Sequence, residues 1–188
     1  MVYDFKEVED KAREKWASEE NKNKIADAIK DDKKKKVFSF LEGPPTANAP
    51  PGLHHLEVRT MKDVVNKFWF MKGFSVPRKG GWDTHGLPVE VQVEKKLGLD
   101  SKKDILSYGE DKFIKECRES VFSNIGDWEK STKELGYWID LENPYRTLDN
   151  NYIESVWWSL KKLYEKGLLY EGYKVVPFCP RCSTPLSS

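Results

Sequence analysis

The feature that most constrains the fold is a pair of short apolar segments separated by the length of one helix. Residues 37–41 (VFSFL) are β-branched and aromatic and stop at a Gly-Pro-Pro sequence, as a buried strand does. Residues 75–79 form a second strand candidate, which glycines follow. One face of a helix that ends at Gly73 is marked by Leu56, Thr60, Val64, Phe68 and Met71. A strand, a helix and a strand within about 45 residues predict a βαβ unit and therefore a parallel sheet.

Further helices are predicted on both sides of this unit. Near the N-terminus, helical spacing relates Phe5, Val8, Ala12 and Trp16. Pro88 suits the first position of a later helix, and Gly98 suits its C-terminal cap. A long stripe typical of a core-facing helix, closed by Gly136, consists of Phe113, Cys117, Val121, Ile125, Trp128, Thr132 and Leu135. Asp149 is predicted to cap another helix, which ends near Gly167 and is lined by Ile153, Val156, Trp157 and Leu160. Residues 168–182 alternate as a hairpin does before a pair of cysteines.

The composition predicts an intracellular α/β protein. The 188 residues are enough to form one sizeable core. Because only 38% of them are hydrophobic and 34% are charged, this core is expected to be thin. Aromatic residues at 13% exclude general disorder. The charges nearly cancel, 32 basic against 31 acidic, so the overall charge does not indicate nucleic acid or an acidic membrane as a partner. The run Lys33–Lys36 is expected to be a solvated loop. No apolar run reaches the roughly 18 residues of a membrane span, and three cysteines fit a reducing cytoplasm.

Two adjacent imidazoles, His54 and His55, lie where the loop after the first strand meets the next helix. Ligands of parallel α/β sheets bind at the carboxyl ends of the strands. A helix start adds backbone N–H donors and the positive end of the helix dipole, which suit phosphate groups. Imidazoles at this position can donate hydrogen bonds to a phosphoryl transition state. The spacing alone also allows one or both to be ordinary helix-start residues.

A second loop, residues 80–88 (GGWDTHGLP), follows the second strand and is expected at the same edge of the sheet. Its carboxylate, Asp83, could pair with a cation such as a substrate ammonium in a partly desolvated pocket. The alternative is that Asp83 is a turn residue that binds its own backbone.

The third candidate is the pair Cys179 and Cys182 in the sequence CPRC. Such a pair after a hairpin is a common half of a tetrahedral zinc site, although two of the four ligands would have to come from outside this chain. A redox pair is the alternative, but no helix follows the motif to stabilise a thiolate.

Four segments carry a resemblance that runs over nearly the whole chain: GPPTAN…GLHH, KGGWDTHGLPVEVQVEKKLG, LGYWIDLENPYRTLDNNYIESVWW and GLLYEGYKVVPFCPRC. Together they resemble the class I isoleucyl-tRNA synthetases, and WDTHGLP distinguishes them from the similar valyl and leucyl enzymes. The resemblance implies the N-terminal half of a Rossmann-type parallel-sheet nucleotide-binding domain with a helical N-terminal extension. It also implies activation of isoleucine with ATP and Mg²⁺ and transfer of isoleucine to its cognate tRNA, in the cytoplasm and without a membrane.

By resemblance, Gly52-Leu53-His54-His55 is the signature tetrapeptide that binds ATP and stabilises the transition state, with His54 and His55 as the catalytic residues. Asn48 lies in the same ATP-binding loop. The tetrapeptide departs from the family pattern His-x-Gly-His, since Gly52 stands for the first histidine and His54 for the glycine. Ala49 stands where many relatives have glycine.

The same resemblance assigns the amino-acid and metal residues. Gly43 and Pro44 are similar to the floor of the isoleucine side-chain pocket, and Asp83 to the residue that holds the α-ammonium group. Cys179 and Cys182 match the first ligand pair of a zinc knuckle at the base of the inserted editing domain.

The expected organisation is a helical extension over residues 1–36, the first half of the catalytic domain over residues 37–170, and a hairpin with the start of a zinc knuckle over residues 171–188. The family's second ATP motif, Lys-Met-Ser-Lys-Ser, is not in the sequence, so the chain is expected to correspond to the N-terminal part of a synthetase, inactive or nearly so by itself. The alternatives are a non-catalytic half-domain, a valyl or leucyl relative, and another nucleotidyltransferase of the same fold.

Overall fold

The computed structural model describes residues 4–30 and 35–186. Lys33 and Lys34 of the lysine run lie outside the described residues. In chain order the described elements are α1 (Phe5–Ala17), α2 (Glu19–Ala28), α3 (Leu53–Met71), β1 (Lys79–Trp82), α4 (Leu87–Leu97), α5 (Lys102–Tyr108), α6 (Glu110–Glu134), β2 (Asp140–Arg146), α7 (Asn150–Glu165), β3 (Phe178–Cys179) and β4 (Thr184–Pro185).

A parallel sheet is present, as predicted, but its regular strand pair is not the predicted one. β1 pairs in parallel with β2. The expected strands over 37–41 and 75–79 reduce to one parallel bridge, between Val37 and Ser75, and the regular strand begins only at Lys79. Pro77 accounts for the interruption, since proline has no N–H to give to a neighbouring strand.

The helices begin and end close to their predicted signals. Pro88 lies in the first turn of α4, and Gly98 ends that helix in the left-handed conformation with φ of 70°. α6 buries most of the predicted stripe: Phe113, Val121, Ile125, Trp128 and Thr132. Asp149 precedes α7, as predicted, but its side chain makes no capping hydrogen bond.

The core is small and lies between α6, α4 and the carboxyl end of β1. Its buried members are Ala47, Trp82, Val89, Val121, Ile125 and Trp128. α3 turns a different face inward from the one the sequence marks, because Val64, Phe68 and Met71 are exposed. The buried residues of α3 are polar: Arg59, Asp63 and Asn66.

α1 packs against the end of α6. A Cβ atom on Gly136 would lie 2.3 Å from the Trp16 ring, so the absence of a side chain there makes room for this tryptophan. The Arg13 Nε donates to the Glu134 carbonyl over 3.4 Å. The helical N-terminal segment is therefore held against the rest of the described chain.

The predicted hairpin lies further along the chain than expected. Residues 168–177 form no strand, and the antiparallel pair is β3 with β4, so that the cysteine motif is the turn of the hairpin instead of its continuation. Alternation produces a strand where one face is covered, whereas Tyr173 and Val175 are fully exposed here. Over the described residues, no helix combines the length and the apolar character that a membrane crossing requires.

Candidate functional site

The structure brings the two predicted loops together, as their shared sheet edge implies. The backbone of Asp83 donates to the Pro45 carbonyl over 3.0 Å and accepts from the Ala47 N–H over 2.8 Å. Thr46 and Asp83 form a parallel bridge at this point. The loop that carries Gly43 and Pro44 therefore runs beside the loop that carries Asp83.

The Asp83 carboxylate is held by hydroxyl groups from two other segments. Its Oδ2 accepts from the Thr46 Oγ1 over 3.0 Å, and its Oδ1 accepts from the Thr147 Oγ1 over 3.4 Å. These side-chain contacts cross the site, which argues against the alternative of a turn residue that binds its own backbone. Both donors are neutral, and within residues 4–30 and 35–186 no cation forms an ion pair with this half-buried carboxylate. The arrangement suits a bound cation.

Thr147 organises this part of the site, and the sequence reasoning missed it. Its Oγ1 accepts from the Thr84 N–H over 2.9 Å and lies 2.7 Å from the His85 Nδ1. The residue directly follows β2, a third parallel segment, at the same carboxyl edge as Asp83. The rule that located Asp83 would have located Thr147 had β2 been recognised as a strand.

The loop predicted to bind ATP is held in place by α6. The Trp128 indole N–H donates to the Ala49 carbonyl over 2.8 Å, and the Asn124 amide donates to the Ala47 carbonyl over 3.1 Å. These two bonds flank Asn48, which is half-buried. The long helix therefore sets the backbone on both sides of the predicted nucleotide residue.

The surroundings of His55 favour a neutral ring that can donate a hydrogen bond. Its Nδ1 accepts the Gly52 N–H over 3.0 Å at the start of α3, so the proton of a neutral ring lies on Nε2. Its ring packs edge-on against Trp128 at 4.9 Å and lies 3.8 Å from the His54 ring, between centroids. Burial, His54 and Arg59 lower the pKa of His55, in that order. The imidazole thus stays uncharged near neutral pH.

The exchanged glycine and histidine of the tetrapeptide have a steric explanation. A Cβ atom on Gly52 would lie 3.0 Å from the Cε1 and 3.2 Å from the Nδ1 of His54. The His54 imidazole therefore lies where a side chain at position 52 would begin. Glycine at 52 and histidine at 54 fit each other in this structure.

The loop of Gly43 and Pro44 rests on a buried carboxylate. Glu42 is buried, and the Tyr145 hydroxyl donates to its backbone carbonyl over 2.7 Å. The next carbonyl, that of Gly43, accepts from the Lys62 ammonium over 3.3 Å. Gly43 itself is exposed, with no atom within 4 Å of a Cβ built on it. The start of the loop is anchored while its first glycine stays accessible.

The two cysteines of the knuckle lie together at the hairpin turn. Hydrogen bonds from the backbone and side chain of Cys182 lower the pKa of Cys179, and Arg181 adds to this effect. The Arg181 guanidinium also pairs with Glu94 over 3.1 Å, which ties the knuckle to α4. Among the described residues, no third histidine, cysteine or carboxylate completes a metal site with them.

A cavity of about 470 Å³ lies between α4, α5, α6 and the knuckle. It borders Thr84 and His85, but the lining includes none of His54, His55 and Asp83. Cys117 faces it, and burial together with Glu90, Glu116 and Glu94 raises the pKa of this thiol to about 11. The cavity thus adjoins the two residues that follow Asp83 without containing the predicted site residues, and the raised pKa keeps its thiol protonated at neutral pH.

Comparison with known proteins decides the family. The family model described as tRNA synthetases class I (I, L, M and V) matches residues 11–188. The chain belongs to the class I tRNA synthetases. This confirms the family resemblance of the four motifs and the expected fold class.

This class I synthetase chain is similar to several isoleucine–tRNA ligases. It is 58% identical over 151 residues to that of Clostridium acetobutylicum, which covers 80% of this chain and 15% of the relative. It is 50% identical over 184 residues to that of Dehalococcoides mccartyi strain 195, covering 98% and 18%. The Thermus thermophilus isoleucine–tRNA ligase is 56% identical over 151 residues, covering 80% and 14%. The chain therefore spans less than a fifth of the length of these relatives.

A solved structure supports the fold. The ternary complex of an Agrobacterium radiobacter K84 leucyl enzyme with tRNA and LeuAMS aligns with a TM-score of 0.62 at 23% identity. The alignment covers 90% of this chain and 19% of that one.

Proposed function

We propose that this chain carries the first half of an isoleucine-activating site, which forms isoleucyl-adenylate from isoleucine and ATP for transfer to tRNA. The observation that carries the proposal is the direct contact between the loop of Gly43 and Pro44 and the loop of Asp83, beside a helix start with two histidines. The similarity to isoleucine–tRNA ligases supports the choice of amino acid.

The amino acid is bound at the loop contact. The Asp83 carboxylate takes the α-ammonium group, since the side chains of the described residues give it only neutral hydroxyl donors, from Thr46 and Thr147. Gly43 and Pro44 directly precede Pro45 and Thr46, which contact Asp83, and they form the floor for the branched side chain. In this proposal the substrate carboxylate faces the start of α3.

ATP is bound with its phosphates at the start of α3, where Asn48 and Gly52 contact the nucleotide. A carboxylate oxygen of isoleucine attacks the α-phosphorus, the bond to the bridging oxygen of the β-phosphate breaks, and pyrophosphate leaves with that electron pair. Charge grows on the α-phosphate oxygens during this step. His55 donates its Nε2 proton as a hydrogen bond there, and His54 adds a second imidazole.

The remaining partners follow from the same role. Mg²⁺ arrives with the phosphates of ATP, which supply the oxygen ligands it prefers. Zn²⁺ would be held by Cys179 and Cys182 as a structural ion, with two further ligands from outside this chain. The cognate tRNA accepts the activated isoleucine, mainly through parts beyond these residues, and the role predicts a cytoplasmic location.

The test is amino-acid-dependent pyrophosphate exchange in a chimera. The chain replaces the matching residues of the Dehalococcoides mccartyi relative, which align over 184 residues. We expect exchange with isoleucine, and much weaker exchange with valine or leucine. Exchange with valine or leucine above that with isoleucine would assign the chain to a different synthetase.

A matched control separates catalysis from folding. A chimera with His54→Ala and His55→Ala should fold and lose exchange. If this double variant exchanges as fast as its parent, the histidines do not carry the step, and the non-catalytic alternative gains support.

A further inference from the structure

Arg59 is a buried cation enclosed by aromatic rings. It lies on α3 one turn after His55 and is 4% exposed. The centre of its guanidinium lies 5.0 Å from the Tyr137 ring centroid, 5.7 Å from that of Trp128 and 5.9 Å from that of Trp82. Three rings around one cation indicate a specific place for it.

Its polar contacts reach two further segments. The Nη2 donates to the Thr132 Oγ1 over 3.0 Å, and Thr132 in turn donates to the Trp128 carbonyl over 2.6 Å. The Nη1 lies 3.6 Å from the Glu42 carboxylate, which also accepts the Tyr137 hydroxyl over 2.9 Å. The guanidinium therefore joins α3, α6 and the segment before the Gly-Pro-Pro loop.

Three of these partners adjoin parts of the candidate site. Trp82 immediately precedes Asp83, and Glu42 immediately precedes Gly43. The Trp128 indole holds the Ala49 carbonyl of the ATP-binding loop. One side chain thus contacts residues that support the Asp83 loop and two points of the loop that runs from Gly43 to the histidines.

We propose that Arg59 is a positioning residue that holds the Asp83 loop and the loop from Gly43 to the two histidines in one mutual arrangement. A planar guanidinium can hydrogen-bond Thr132 through one nitrogen while a second nitrogen forms an ion pair with Glu42 at 3.6 Å, which a single ammonium donor cannot do in the same geometry. The inference rests on the proposed function, because the arrangement matters for catalysis only if these loops bind isoleucine and ATP.

The charge of Arg59 acts on the same site. It is one of the causes that lower the pKa of His55, after burial and His54. Trp128, the α6 side chain packed on His55, is uncharged. Arg59 thereby helps to keep the His55 ring neutral with its donor on Nε2.

Arg78 provides a matched control within the same molecule. It is also fully buried, and burial lowers its pKa as it does that of Arg59. Its guanidinium donates to the carbonyls of Trp138 and Asn66, each over 3.2 Å, instead of to partners that support the loops. Loss of either arginine removes a buried cation, but of the two only Arg59 contacts Glu42, Trp82 and Trp128, which adjoin the site loops.

The experiment uses NMR on the 188-residue chain, comparing wild type with Arg59→Met, Arg59→Lys and Arg78→Met. The Trp128 indole N–H, assigned with Trp128→Phe, reports its bond to Ala49 through hydrogen exchange. The His55 ring, assigned with His55→Ala, reports the local charge through its pH titration. Urea unfolding of each variant gives the global stability.

In Arg59→Met we expect indole exchange at least tenfold faster, about 1.4 kcal/mol of local stability, and a His55 titration midpoint at higher pH. In Arg59→Lys the exchange should also accelerate, while the midpoint should stay closer to that of wild type because the charge is kept. Arg78→Met should lower the global stability and leave both signals in place.

The proposal is overturned if Arg59→Met or Arg59→Lys leaves the indole exchange unchanged, or if Arg78→Met changes both signals as much as Arg59→Met does. Should Arg59→Met not fold, Arg59→Lys against Arg78→Met makes the same comparison. ATP and isoleucine are added to wild type last. If they leave the His55 signal in place, the proposed binding role fails for this chain, whereas the ligand-free signals still decide whether Arg59 positions the loops.

Discussion

At the scale of single residues, His55 carries the most specific expectation about catalysis. Its Nε2–H is available because Nδ1 is occupied by the Gly52 N–H. A donor that serves mainly the transition state raises kcat more than it improves ground-state binding. We therefore expect His55→Ala in the chimera to lower adenylate formation by about 10²–10³-fold with little change in ATP affinity. Single-turnover adenylation measures this, and a loss confined to ATP affinity would make His55 a ground-state ligand.

The lowered pKa of His55 also predicts a pH dependence of stability. Burial lowers the pKa first, so between its folded value and the ordinary value of about 6.5 the unfolded chain binds the proton more readily. The contribution of His55 to the free energy of unfolding is therefore present above about pH 6.5 and is lost as the pH falls. Urea unfolding should show a larger advantage of wild type over His55→Ala at pH 8 than at pH 5. A difference that is constant with pH would contradict the assignment.

Asp83 carries the expectation for the amino acid. Removal of one partner from a charge-assisted pair in a desolvated pocket costs about 2–5 kcal/mol. Asp83→Asn keeps the size of the side chain and removes the charge, so in the chimera it should weaken isoleucine binding far more than ATP binding. Pyrophosphate exchange at varied isoleucine gives the KM. An unchanged KM for isoleucine would exclude the ammonium-binding role.

Sequence reasoning located His55 and Asp83 but not Arg59 or Glu42. The first two follow from the rule that ligands bind at the carboxyl ends of parallel strands. A charged residue on an amphipathic helix is ordinarily predicted to face water, and α3 carries enough apolar residues to suggest the opposite face. Arg59 is buried because Thr132, 73 positions along the chain, supplies a partner. No local pattern contains that information.

At the scale of elements, the two glycines of β1 explain why the strand can lie so close to β2. A Cβ atom on Gly81 would lie 2.2 Å from the Tyr145 ring, whose hydroxyl holds the Glu42 carbonyl. A Cβ atom on Gly80 would lie 2.6 Å from the Asp140 carbonyl oxygen. The glycines therefore permit the close approach of a strand whose end carries Asp83.

Gly81→Ala tests this approach. Extra volume in a packed site costs about 1–3 kcal/mol, so the free energy of unfolding in urea should fall by that amount. Gly126→Ala is the control, because no atom lies within 4 Å of a Cβ at this exposed helical position and alanine favours a helix by about 0.5–1 kcal/mol. If Gly81→Ala is as stable as wild type, the close approach of β1 to Tyr145 of β2 does not depend on a glycine at this position.

Helices were easier to predict than strands for a physical reason. Pro88 and Gly98 act within their own segment, and α4 begins and ends beside them. The pairing of β1 depends on β2, some sixty residues later, and β2 contains Asn143 and Pro144, which local propensity disfavours in a strand. The pairing partner, more than the local sequence, decides where the strand forms.

At the scale of the whole molecule, more aromatic side chains of the described residues are exposed than are buried. Trp157, Trp158, Tyr164 and Tyr170 are all exposed. Exposed apolar area of this kind favours contact with further protein. The relatives supply more than four fifths of their length beyond the matching segment. The apolar residues of α3 and α7 that are exposed in this chain are therefore expected to be covered in those relatives.

The last prediction concerns the 188-residue chain by itself, which should show at most trace activation and should not bind zinc tightly. It has the histidine loop but no Lys-Met-Ser-Lys-Ser segment, so part of the expected electrostatic stabilisation of the reacting phosphates is missing. Cys179 and Cys182 would supply only two of the four ligands that a closed zinc site needs. Pyrophosphate exchange beside the chimera and zinc titration against a chelator, with Cys182→Ser as control, measure both. Exchange within about tenfold of the chimera, a barrier difference of about 1.4 kcal/mol, or tight one-to-one zinc in a monomer would show that this chain is self-sufficient.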